Sequence, residues 1–516
     1  MASKAWWTRL LCGVALLSES ACAGAHEGPG ASDVDAAARA PAAPSNNAEP
    51  MAEVPSAPPA PPASEEPSAP VSAGASPMVP PAMMAAAITP SPKVQNVAPT
   101  SDWKLMGYDE GSTYFNRAEV TLTKDNVGKL EMAWQANLGG PLYGAPLQVA
   151  DKIYVAGPND VRAFDVGNGN VLWTLEQKSN SSLAYVDGTL YLNATGSKVI
   201  AVDASTGTVK WQRSADDQPV DGYSSVIAAG SRLFVGGSSS AVELGGGHFL
   251  GFMAALDRAS GDSLWTTYTL SEPATGAGIF SSPSIDSVAG RVFGTTANNY
   301  GPPATDTSDA FIAFDLESGK IVWKYQAVAN DMFPGDPNSP DFNFGANPVL
   351  YEVDVEGKAT RVVVAGEKSG AIHALRRDDG KLLWTRKLGP GSADGVDGIM
   401  NNTTWSGKSV LVACNERGPS TLFALDPATG DIVWQRKLKG SVWGRISVAN
   451  GVGFVGNDDM LEAFDIETGA VIATYASPHG TLAGVITIAN GHVAFGDGLE
   501  WVDAKGGNTL TVLRLP

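Results

Sequence analysis

The sequence predicts an all-β fold, an eight-bladed β-propeller preceded by a disordered Ala/Pro-rich segment. Three observations carry that expectation. First, one phrase returns eight times between Asp165 and Asp503: a small residue, an apolar residue, Asp, three residues, Gly, three residues, then usually Trp. Second, a β-rich run precedes each return, as in KIYVAG, TLYLNA, RLFVGG, RVFGTT and RVVVAG. Third, successive motif positions lie 38, 54, 58, 61, 50, 39 and 38 residues apart, close to the ~40–50 of a four-stranded propeller blade.

The full phrase occurs as Asp165/Gly169/Trp173, Asp203/Gly207/Trp211, Asp257/Gly261/Trp265, Asp315/Gly319/Trp323 and Asp426/Gly430/Trp434. Three copies are degenerate: Arg376/Gly380/Trp384 lacks the Asp, Asp465/Gly469/Ala473 lacks the Trp, and so does Asp503/Gly507/Thr511. Each copy reads as strand, turn, strand. The Asp side chain accepts backbone N–H groups within the turn, and the Gly supplies the positive φ of a tight hairpin. The Trp rings, each burying ~150–250 Å², are expected to pack between neighbouring blades rather than to bind a ligand.

Residues 1–25 carry Lys4 and Arg9, the apolar stretch from Leu10 to Leu17 and small residues around Ala21, Ala23 and Ala25. That is the pattern of a secretory signal, too short to span a bilayer. Cys22 after Ser20-Ala21 offers a lipid-modified mature terminus, and cleavage after Ala23 or Ala25 is the competing reading. Residues 26–100 are low-complexity runs such as PSAPPAPPASEEPSAP, which bury too little apolar surface to fold and read as a spacer. Residues 101–516 form the propeller domain. The expected location is outside the cytoplasm, in the periplasm or cell envelope, with a tether if Cys22 is lipidated.

The three cysteines are Cys12, Cys22 and Cys414, so once a signal is removed no intramolecular disulfide can form. No CxxCH motif occurs, and no two of the five histidines have metal-ligand spacing. With 35 basic against 54 acidic residues the net charge is −19. Nucleic acid is an unsuitable partner, and an anionic ligand needs a local cation to hold it.

The longest intervals fall between Asp203 and Asp426. Added loop length costs little stability and loops carry function, so the candidate site belongs to the middle blades. Equivalent strand ends in a propeller face one side of the central channel. Asn298 and Lys368 each stand two residues beyond such an end, after RVFGTT and RVVVAG, and Glu243 follows RLFVGG in a Gly/Ser loop. Hydroxyls at Ser238 to Ser240 and at Thr295-Thr296 lie on the same rim. Bland roles compete: Glu243 as a solvated loop carboxylate, Asn298 as a turn residue, Lys368 as a hairpin lysine, Asp331 and Asp341 as turn caps.

The opening WKLMGYDEGSTYFNRAEVTLTKDNVGKLEMAW, the repeated phrase, and SSPSIDSVAGRVFGTTANNY resemble quinoproteins that bind pyrroloquinoline quinone (PQQ). SSSAVE, NDMF before PDFNFGANPVL, and AGEKSG echo the polyvinyl-alcohol dehydrogenase-like branch in particular. The resemblance runs from about Asp102 to Pro516. It implies an exported alcohol dehydrogenase that uses PQQ and Ca²⁺, acts on a small or polymeric alcohol, and hands electrons to an external acceptor. It would make Glu243, Asn298 and Asp331 metal ligands, Asp331 the catalytic base, Lys368 the cation at the quinone, and Phe280 the cofactor floor.

There are departures. Phe280 stands where the family commonly has Trp, the vicinal cysteine pair is absent, and Phe249-Leu250-Gly251 lacks the family's Arg. Phe333-Pro334 replaces a Trp-Asp, leaving Asp331, Asp336 and Asp341 as acidic candidates, and DGIMNNTTWSGK around Asn401 lacks a Trp-Gly. The alternative reading is therefore a non-catalytic propeller that binds proteins at the cell envelope.

Overall fold

The structure is a computed structural model that describes residues 101–516 except 337, 392–396, 401–402, 417, 478 and 500–506. The expected signal (1–25), spacer (26–100), lipid site at Cys22, Asn401 and Asp503 lie outside the described residues.

Among the described residues eight blades of four antiparallel strands follow one another around a ring, and Phe115–Asn116 adds a fifth, parallel strand to one of them. Blade 1 comprises Leu147–Val149, Lys152–Ala156, Val161–Asp165 and Val171–Leu175. Blades 2 to 7 repeat the scheme, with innermost strands opening at Ala184, Ile227, Ser284, Val349, Thr404 and Ser447. Blade 8 is composite. Its three inner strands, Thr487–Ala489, His492–Gly496 and Thr509–Arg514, pair outward with Glu131–Asn137 from the start of the domain. That pairing closes the ring and joins both ends of the domain in one sheet.

The burial pattern follows from packing between blades. In blade 7 the second strand, Val452–Asn457, is buried throughout because sheets cover both of its faces, whereas the outermost strand of blade 6, Ile432–Lys437, is largely exposed. In the motif turns the Asp side chains do what the sequence implies. Asp165 Oδ1 accepts from Gly167 N at 3.0 Å and Asn168 N at 3.1 Å, and Asp426 Oδ1 accepts from Ala428 N and Thr429 N, both at 2.9 Å. Arg376 has no such oxygen, yet Gly380 N still donates to Arg376 O at 2.9 Å, so the turn survives without it.

The motif Gly has a second duty besides its positive φ. A Cβ on Gly207 would lie 2.7 Å from Trp173 of the previous blade, and one on Gly380 would lie 2.6 Å from Trp323. The indoles lie on the next blade's turn, and most donate to a carbonyl there: Trp173 Nε1 to Ala204 O at 3.0 Å, Trp323 Nε1 to Arg377 O at 2.9 Å, Trp384 Nε1 to Pro427 O at 3.0 Å. The tryptophans are inter-blade staples. Trp134, on the closing strand, provides the staple for Gly169 of blade 1.

The extra residues of blades 3 to 5 take three forms. They are a short helix, Ser240–Gly245, a two-stranded ribbon of Thr275–Gly276 with Asn299–Gly301, and a loop over 327–348.

Candidate functional site at the propeller axis

The residue four positions ahead of an innermost strand faces the axis. Tyr143, Asn180, Tyr223, Phe280, Trp443 and Ala483 all occupy that place and line one cavity of about 320 Å³. This volume falls in the ~300–1,000 Å³ range of small-molecule sites.

Two residues later the chain makes a girdle. Ala145 N donates to Ser182 Oγ at 2.6 Å, Ser182 N to Ser225 Oγ at 2.9 Å, Ser225 N to Ser282 Oγ at 2.9 Å, and Ser282 N to Asn347 Oδ1 at 2.8 Å. Small hydroxyl residues suit these places because each side chain accepts from the backbone N–H of the preceding blade.

The opening segment of the domain plugs the channel. Its carbonyls accept from innermost strands in turn: Lys104 O from Tyr185 N at 2.8 Å, Glu110 O from Ile285 N at 2.7 Å, Gly111 O from Leu350 N at 2.9 Å, and Tyr114 O from Val448 N at 2.9 Å. Met106 reaches the cavity, its sulfur accepting from Ser225 Oγ at 3.2 Å and Ser282 Oγ at 3.0 Å. The channel is therefore plugged by the protein's own chain, and the cavity remains beside the plug.

Glu243, Lys368 and Phe280 all line this cavity. Glu243 rides on the Ser240–Gly245 helix rather than in an irregular loop. Ser239 caps that helix through Val242 N, Ala241 to Leu244 favour helix, and Gly246 and Gly247 end it. Among the described residues no donor lies within hydrogen-bond distance of the Glu243 carboxylate. Its pKa is pushed up to about 8, first by burial and then by the Asp341 carboxylate. Phe280 stands in the wall with Tyr223, ring centroids 6.3 Å apart.

Lys368 Nζ is held by both oxygens of Asp341, each at 3.0 Å, and both side chains are mostly buried. Asn343 Nδ2 ties Asp341 Oδ1 to Asn298 Oδ1, at 2.9 Å to each. Asn298 is fully buried and sits behind the wall, linked to the cavity through Asn343, which lines it. Asp331 is also fully buried. Its oxygens accept from Ser339 Oγ at 3.0 Å, Phe342 N at 2.8 Å and Phe333 N at 3.3 Å, and burial pushes its pKa up.

The structure thus gathers Glu243, Lys368 and Phe280 at the cavity, and places Asp341, Asn298 and Asp331 behind its wall, with Asp341 joined to the lining residues Lys368 and Asn343. Asp336 is taken up by its own turn, accepting from Asn338 N at 2.9 Å. Among the described residues no three His, Cys, Asp or Glu side chains cluster closely enough to hold a metal by themselves. Tyr223, Trp443, Arg445 and Met106 are cavity residues that the motif reading passed over; their signal is their shared position relative to the innermost strands and the plug.

A family model described as outer membrane protein assembly factor BamB matches residues 93–325 and 368–514. A second, the glucose/ethanol/alcohol dehydrogenase β-propeller domain, matches residues 257–404. The chain belongs to the PQQ dehydrogenase-like β-propeller family. It is 29% identical over 427 residues to a polyvinylalcohol dehydrogenase of Pseudomonas sp, covering 70% of this chain and 66% of that relative. It is 27% identical over 474 residues to a polyvinylalcohol dehydrogenase of Sphingopyxis sp. (strain 113P3), covering 79% and 71%. The quinohemoprotein alcohol dehydrogenase of Comamonas testosteroni shares the fold at a TM-score of 0.71 and 17% identity, over 82% of this chain and 81% of that one. BamB of Moraxella catarrhalis aligns at a TM-score of 0.51 and 17% identity, over 75% and 99%.

Proposed function

We propose that this family member is an exported quinoprotein dehydrogenase that oxidises alcohol groups with PQQ and Ca²⁺ in the axial cavity and passes electrons to a separate acceptor. The observation that carries this reading is the meeting of Glu243, Lys368 and Phe280 in one cavity of about 320 Å³. Its donor chemistry suits the group. A carboxylate without a hydrogen-bond partner and a nearby amide oxygen are the hard ligands Ca²⁺ takes, and a flat aromatic wall suits a flat ring system.

Glu243 would hold the ion directly, and Asn298 would contribute its amide oxygen if Asn343 turns away. When bound, the quinone supplies the two-electron acceptor for the alcohol's hydride. Lys368, oriented by Asp341, presents N–H donors to the cavity. For the proton acceptor we favour Asp341 over Asp331, because Asp341 contacts the cavity-lining residues Lys368 and Asn343, whereas the three hydrogen bonds of Asp331 all lie within its own loop. Phe280 and Tyr223 keep water from that side of the reacting centre. No CxxCH occurs in the sequence, so the acceptor in this reading is a partner. Substrates are small or polymeric alcohols, and a lipid at Cys22 would add a membrane tether.

A titration of the full chain with PQQ, with and without Ca²⁺, tests the reading by calorimetry and Trp fluorescence. Tight binding that needs Ca²⁺ and is lost in Glu243→Ala supports it. Silence up to high micromolar PQQ favours the second reading, a non-catalytic binding scaffold, whose support is the long match to the assembly-factor family model.

A further inference from the structure

Among the described residues three charged side chains line the axial cavity: Glu243, Lys368 and Arg445. Lys368 contributes little net positive charge there, since Asp341 holds it through both oxygens at 3.0 Å. Arg445 is different. It is only 8% exposed, and among the described residues no carboxylate pairs with it. Among the described residues the other buried arginine is paired, Arg377 Nη1 meeting Asp286 Oδ2 at 2.8 Å, and the partly exposed Arg436 Nη2 also meets Glu462 Oε2 at 2.8 Å.

The neighbours of Arg445 are polar but neutral. Its guanidinium lies beside the Tyr114 hydroxyl, which already accepts from Asn347 Nδ2 at 2.8 Å, and its Nε has no hydrogen-bond partner. A guanidinium stays protonated in a protein and is costly to bury without a counter-charge. The fold does not require it either. Arg445 stands two residues ahead of its innermost strand, where Ala145, Ser182, Ser225 and Ser282 stand in theirs. A cation at this place, in a chain of net charge −19, is a local answer to an anion.

We propose that Arg445 is the anchor for a carboxylate of the quinone cofactor, gripping it through its planar fork. The inference rests on the quinoprotein reading and assigns within it the cation that Leu250 does not provide. Arg445 approaches the cavity from blade 7, whereas Glu243 comes from blade 3 and Lys368 from blade 5. A polycarboxylate would then be held from separate sides of the ring, which fixes its rotation about the axis.

The test is calorimetric titration of the full chain with PQQ in excess Ca²⁺, comparing wild type with Arg445→Gln and Arg445→Lys. Arg445→Gln should weaken PQQ binding roughly 10- to 150-fold, the range for losing a charge-assisted hydrogen bond, with a shallower salt dependence. Arg445→Lys should fall between. The trimethyl ester of PQQ should bind wild type and Arg445→Gln equally, because it lacks the anion. The ligand-free melting temperature of Arg445→Gln should match or exceed that of wild type, since a buried unpaired charge has been removed. Equal PQQ affinity in wild type and variant overturns the inference and leaves the cofactor reading standing. A large fall in ligand-free melting temperature also overturns it, making Arg445 structural. No PQQ binding by wild type overturns both.

Discussion

At the rim of the propeller seven Trp–Gly contacts, from Trp134 on Gly169 to Trp434 on Gly469, repeat one geometry, and every one of those glycines has φ between 70° and 76°. At the axis the residues in equivalent places differ from blade to blade: Tyr143, Asn180, Tyr223, Phe280, Trp443 and Ala483. Rim contacts see only the next blade, so the same solution serves each time. Axial residues meet in one shared space and must be complementary to its contents. Repetition therefore sets where the chain goes, and departure from repetition sets what the site can hold.

The rim side of this contrast breaks most severely at Trp323. Trp323→Ala removes a nearly buried indole, its bond to Arg377 O and the ring under Gly380. We expect a loss of about 3–5 kcal/mol, read from the urea midpoint, and an effect within about 0.5 kcal/mol would mean that the staples are dispensable. On the axial side, Asp341→Ala leaves Lys368 unpaired in a mostly buried place. The partial exposure of Lys368 reduces the expected loss to about 1–3 kcal/mol. The Asp341→Ala/Lys368→Met double variant should recover much of it, and strictly additive losses would show that the pair is not coupled.

A smaller, pH-dependent effect belongs to Asp309. It is fully buried with neither carboxylate oxygen hydrogen-bonded, and burial, followed by the Asp331 charge, pushes its pKa well above the ordinary range. A raised carboxyl binds more protons in the folded chain than in the unfolded one. Its contribution is present below the unfolded value of ~4 and is lost as pH rises toward the folded value. Asp309→Asn, at a positive φ that Asn accepts, should therefore gain stability over wild type as pH rises from 5 to 8, by up to about 1–3 kcal/mol. A pH-independent difference in melting temperature would refute this. The smallest expected change is at Cys414, where burial pushes the thiol up to about 12. Mass spectrometry should find Cys414 unalkylated by maleimide in native protein and modified in urea.

The rim was legible because its physics is local. Asp, Gly and Trp sit at fixed offsets in Asp165/Gly169/Trp173 and its copies, so the turns and the blade count could be read directly. The function of the motif Gly as a bed for the preceding Trp was hidden, because the two residues belong to different repeats. The degenerate last repeat, without a Trp, left no sign that Trp134 stands in the outermost strand of blade 8. The long intervals coincide with the segments of blades 3 to 5 that carry Glu243, Lys368 and the acidic loop. Spacing alone could not tell Asp341 from Asp331, since their difference lies in which backbone N–H groups each side chain meets. Arg445 was overlooked because blade 7 is short and regular. Aligning VWGRISV with LYGAPLQV and FSSPSID would have shown a charge where other blades have Ala or Ser.

The pairing of Glu131–Asn137 with Thr509–Arg514 has a consequence for biosynthesis. A nascent chain stopped between the end of blade 7 and Thr509 would hold a seven-blade arc and a waiting outermost strand, with unpaired N–H and C=O groups at its open ends. Such edges invite association with other chains. Ring completion must therefore await synthesis of Thr509–Arg514, and a chain that lacks this strand is expected to aggregate rather than form a slightly smaller propeller.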